Sequence, residues 1–65
     1  MEKIVIPQDE SVKEMFVDAR RKLLAARRVS EAKKMDSEVG STDWSDSEAV
    51  QTALEVIQKY VVIDK

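Results

Sequence analysis

Neither cysteine nor histidine occurs among these 65 residues, and that double absence constrains the fold more than any motif does. A chain of this size buries only ~60% of its unfolded surface and is marginal by itself. Disulfides, a bound metal or oligomerisation are the usual supplements. Without thiolate or imidazole ligands the first two lose their chemistry, so an obligate homodimer is expected. The same absence removes the commonest general base. What remains (Ser, Asp, Glu, Lys and the single Tyr60) needs a concave, water-shielded pocket for acid–base work, and a strand with two helices offers little concavity. Enzyme activity, a cofactor and a metal are therefore not expected. No apolar run approaches the ~20 residues of a transmembrane helix, and the amino-terminal stretch lacks the basic and apolar regions of a secretory signal. A cytoplasmic protein with no membrane partner is the corresponding expectation.

The formal net charge of -2 conceals a segregation. Residues 20–34 carry Arg20, Arg21, Lys22, Arg27, Arg28, Lys33 and Lys34 against Glu31 alone, a local +6. Residues 35–48 carry Asp36, Glu38, Asp43, Asp46 and Glu48 with no base, a local −5. A polyanion partner is neither forbidden nor favoured by this balance.

Along the chain, Lys3-Ile4-Val5-Ile6 is β-branched and closed by Pro7, which predicts a strand over about 2–6 with Ile4 and Ile6 inward and Lys3 and Val5 outward. A lone strand needs a partner. Its copy in a second chain and the terminal Val61-Val62-Ile63, paired in cis or across a dimer, are the candidates. A helix over about 9–37 follows, opened by Ser11 and Glu14 at capping-box spacing or by Asp9 as cap. Its stripe is Val12, Met15, Phe16, Ala19, Leu23 and Ala26. Beyond Ala26, Ser30 and Lys33 interrupt the stripe while Val29, Ala32 and Met35 rotate to an adjacent face. The reading is one long helix, packed through Ala26 and projecting, more exposed, towards Met35. Gly40 terminates it within an acidic hinge, 38–45. Ser45 then caps a second helix over about 46–61, with Glu48 at the capping-box position and Val50, Ala53, Leu54, Ile57 and Tyr60 or Val61 as its apolar face. Trp44, just before that cap, is placed to staple onto Ala49 or to anchor a partner. The expected fold is mostly α: one small domain over 1–65, a short amino-terminal strand followed by two helices.

Strand, proline, helix and a last helix opened by Ser45-Asp46-Ser47-Glu48-Ala49-Val50 form a layout that resembles the ribbon-helix-helix family of DNA-binding proteins. The long first helix and extended hinge look most like the accessory DNA-binding proteins of conjugative plasmids. The resemblance implies a homodimer whose paired strands enter the major groove of double-stranded DNA, and a role as a small repressor, antitoxin or relaxosome accessory. Carried over, it implies base reading by Lys3 and Val5, phosphate binding by the amides near Ser45 and Ser47, and flanking phosphate contacts from Arg27 and Arg28. The sequence departs from the family pattern in two places. Val5 can meet only a thymine methyl, and Asp46 stands where the family often has a base.

A second function class fits the acidic hinge: a protein–protein module, such as a phage-type inhibitor or an adaptor, working through Trp44, Asp43 and Asp46. The acidic pI of about 5.0 suits it. Calcium does not fit the same carboxylates, because counting from Asp36 puts Gly40 one place early and Ser47 where the terminal Glu belongs.

Overall fold

In the computed structural model, which describes residues 3–8 and 11–64, three helices pack on a two-stranded sheet. The order is β1 (Ile4–Pro7), α1 (Val12–Ala25), α2 (Val29–Val39), α3 (Ser47–Tyr60) and β2 (Val61–Asp64). The two strands pair in parallel within the chain, Ile4 with Val61, Val5 with Val62, Ile6 with Ile63 and Pro7 with Asp64. The pairing left open in the sequence is thus made in cis. Parallel pairing needs a crossover, and here all three helices form it. Pro7 belongs to the strand as its last residue, where a missing N–H interrupts nothing further.

The expected helix over 9–37 is corrected: it is two helices, joined by Ala26, Arg27 and Arg28. The two-helix fold class is corrected with it, to three helices and a second strand. The turn is a Schellman motif. The Arg27 amide donates to the Leu24 carbonyl and the Arg28 amide to that of Leu23, while Arg27 adopts φ 63°. Glycine is the usual residue at this left-handed position. Nothing local in the sequence announces the break, but packing explains it. At about 100° per residue, Ala32 lies roughly half a turn round a continuous helix from Leu23. One straight helix cannot bury both against one core. Folding back at Arg27 lets Met15, Ala19 and Leu23 of α1 and Ala32, Met35 and Val39 of α2 enter the same cluster. The expectation of an exposed Met35 is overturned accordingly, since Met35 is 0% exposed.

Ile6, Ala53, Ile57 and Val61 complete the core. Ile4, Val12, Phe16, Trp44, Leu54 and Ile63 pack at its margin. Each fully buried aliphatic of this size contributes ~1.5–3 kcal/mol from apolar transfer alone. Ser11 caps α1, accepting from the Glu14 amide at 3.3 Å. The cap of α3 is Asp46 rather than Ser45: its carboxylate accepts from the Glu48 amide at 3.0 Å. Between α2 and α3, Gly40 is right-handed, and its role is space. A Cβ there would meet the Asp36 carbonyl oxygen at 2.5 Å. α3 runs into β2 without a loop, which sets β2 beside β1.

Candidate interaction surface

Alternation along the two strands divides the sheet into an inner and an outer face. Ile4, Ile6, Val61 and Ile63 turn towards the helices, buried or half-buried. Val5, Val62 and Asp64 turn outward and are exposed, and Lys3, just ahead of β1, is exposed as well. Val5 and Val62 are register partners, 53% and 45% exposed. The outer face is therefore an apolar pair with a lysine at one end and an aspartate at the other.

The two strands of this sheet have unequal outer edges. On β1, Lys22 of α1 donates from Nζ to the Val5 carbonyl at 3.2 Å, while Asp18 holds the same ammonium at 3.2 Å. A lysine laid on a strand in this way obstructs further pairing. On β2, no side-chain bond to backbone is found among the described residues. β2 is the freer template.

The residues assigned to DNA do not converge on one surface. Val5 is outward on β1, as expected. Lys3 reaches sideways, donating to the Gln58 carbonyl in the last turn of α3 at 3.1 Å, where the helix dipole favours a cation. Ser45 and Ser47 lie at the opposite end of α3, ~17 Å away by helical rise. Two of the amides in that region, those of Ser45 and Glu48, are already engaged by carboxylates. Asp43 accepts from the Ser45 amide at 3.0 Å and from its hydroxyl at 2.6 Å, and Asp46 takes the Glu48 amide. Arg27 and Arg28 sit in the α1–α2 turn, and Arg28 is paired with Glu31 at 2.5 Å.

The acidic set is likewise turned onto its own fold. Trp44 is half-buried, with its ring 6.2 Å from that of Phe16 and tilted by 32°, so it closes the hinge onto α1. Bonding to the Ser45 hydroxyl, and then to its amide, lowers the Asp43 pKa below the usual carboxylate value. At the far side of α2, the Tyr60 hydroxyl donates to Glu38 at 2.6 Å, and that bond raises the phenol pKa.

A depression of about 510 Å³ lies open on α1 and is lined by Ser11, Lys13, Glu14, Val17, Asp18 and Arg21. It mixes both charges with no nucleophile–base pair. No group of three or more His, Cys, Asp or Glu among the described residues is placed to hold a metal ion, and no helix there is long and apolar enough to cross a membrane. No family model, curated protein or solved structure matches the chain. The sheet surface was legible in part from the alternation of Lys3 to Ile6. Its second half, Val62 and Asp64, depended on the parallel register, which one sequence does not specify.

Proposed function

We propose that this protein is a small, non-catalytic protein-interaction module that works as a homodimer, two copies joining β2 edge to edge about a two-fold axis. The observation that carries this reading is the outward Val5–Val62 pair on a sheet in which, among the described residues, no further strand pairs with β2. A two-stranded sheet is the smallest that forms at all, and a third and fourth strand add backbone hydrogen bonds and cross-strand contacts. In the antiparallel arrangement centred on Val62, the Val62 side chains meet on the outer face. Asp64 then stands opposite the partner's Tyr60, within reach of the partner's Lys3. A two-fold contact repeats every pairing, so this one brings opposite charges together twice.

The same geometry counts against a ribbon in the major groove. A four-stranded sheet measures ~14 Å between its outer strand axes, from ~4.8 Å spacings. The groove is ~12 Å wide. The strand that would read bases, β1, also lies outermost in such a sheet, and the Ser45 amide before α3 and the Glu48 amide in its first turn already serve Asp43 and Asp46.

Sedimentation velocity over a dilution series tests the reading. The wild type is expected to associate in the micromolar-to-millimolar range of small interfaces. Val62→Lys is expected to stay monomeric with unchanged helical circular dichroism. A wild type that remains monomeric throughout, or a Val62→Lys variant that associates equally well, would overturn it. Retention of a short inverted repeat from a random duplex pool would favour the DNA-binding class instead.

A further inference from the structure

We infer that the Arg27 turn is a hinge through which β1 and α1 exchange between two copies of this chain, with α1 and α2 opening into one continuous helix. The first observation is conformational. Arg27, with φ 63°, holds a left-handed position where a side chain costs ~1–2 kcal/mol, and it is the only such non-glycine residue among those described. The second is that nothing between Leu24 and Ala32 opposes a helix. Ala25-Ala26-Arg27-Arg28-Val29-Ser30-Glu31 contains neither glycine nor proline. Moreover, the N-cap position of α2 provides no side-chain cap for its first amides. A continuous helix would give those amides the carbonyls of the α1 last turn.

The third observation concerns what exchange would preserve. Ile6, Met15, Ala19 and Leu23 belong to the exchanged segment and share one core with Met35 and Ile57 of the remainder. These contacts depend on the docking of β1 and α1 and not on the three-residue turn. A second copy can supply each of them, including the Val5–Val62 register. Core burial is then equal in the two forms, and the hinge decides between them. Short hinges under strain are the usual route to this kind of exchange.

The test uses Arg20→Cys with Asp36→Cys, two exposed positions facing each other across the α1–α2 pair. The chain has no other cysteine. The protein is refolded at high and low concentration and treated with a short bis-maleimide. In the closed monomer the cross-link stays within one chain. In the exchanged dimer it joins two chains, giving a covalent dimer on a denaturing gel. Association through β2 leaves the cross-link internal, so the two modes are distinguishable. Adding Arg27→Gly is expected to lower the covalent-dimer fraction about tenfold, because glycine holds the turn without cost. Adding Arg27→Ala is expected to raise it, since alanine keeps that cost and favours helix. Purely internal cross-links at every concentration, or a fraction indifferent to Arg27→Gly, would overturn the inference.

Discussion

Two turns reverse the chain between its helices, and they are built on opposite principles. The turn from α2 to α3 is written in local chemistry: Gly40 where a Cβ has no room, Asp43 folded onto Ser45, and Asp46 on the first amides of α3. The turn from α1 to α2 has no residue that asks for it, and places an arginine where glycine is usual. It is held by what lies on either side, since Leu23 and Met35 reach one core only if the chain folds back. A local signal stabilises its turn in any context. A turn imposed by packing lasts only while the packing does.

The largest expected effect tests the packing side. Met35→Ala should lower stability by about 2–5 kcal/mol in chemical denaturation, as for other fully buried large-to-small changes. A loss near zero would mean that α2 is the exposed extension its sequence suggests. Gly40→Ala should cost about 1–3 kcal/mol, because the new methyl must displace the Asp36 carbonyl. Asp46→Ala should cost about 1 kcal/mol through loss of the α3 cap, and Ser45→Ala clearly less. The contrast sharpens with Arg27→Gly, which should stabilise the monomer by up to about 1 kcal/mol by relieving the left-handed arginine. If that variant is instead destabilised, the turn is not under the strain assigned to it.

The smallest effect is pH dependent. The Asp43 pKa lies below its ordinary value in the folded chain. Its contribution is therefore complete above the usual carboxylate pKa of about 3.9 and is lost as pH falls through the folded value. Asp43→Asn should flatten that acid limb in thermal melts between neutral and strongly acid pH. Glycine, serine and aspartate at 40–46 made this turn readable, although Glu38 and Val39, expected to open the hinge, belong to α2.

The α3 stripe was legible because Ala53 and Ile57 repeat at helical spacing within a capped segment. The α1 stripe was legible through Leu23 for the same reason. The break at Arg27 was not, because its cause is a relation between Leu23 and Ala32 that matters only once a common core exists. Its trace in the sequence was the rotation of the stripe after Ala26, which reads equally well as an exposed extension. The surface behaved similarly. Outward Lys3 and Val5 followed from alternation alone, whereas Val62 and Asp64 joined them only through long-range parallel pairing. The phosphate-binding role given to the amides near Ser45 and Ser47 assumed that they are free, and the carboxylates that engage the Ser45 and Glu48 amides are two residues away. Sequence proximity pointed to the helix start and could not say which group would take it.

The two-fold contact proposed through β2 brings Asp64 of one copy within reach of Lys3 of the other. Sedimentation equilibrium of Lys3→Asp, Asp64→Lys and the double variant tests it most directly. Each single reversal is expected to weaken self-association severalfold by placing like charges across the contact, and the double variant is expected to restore it. Association unaffected by the single reversals, or a double variant no better than either, would contradict the account.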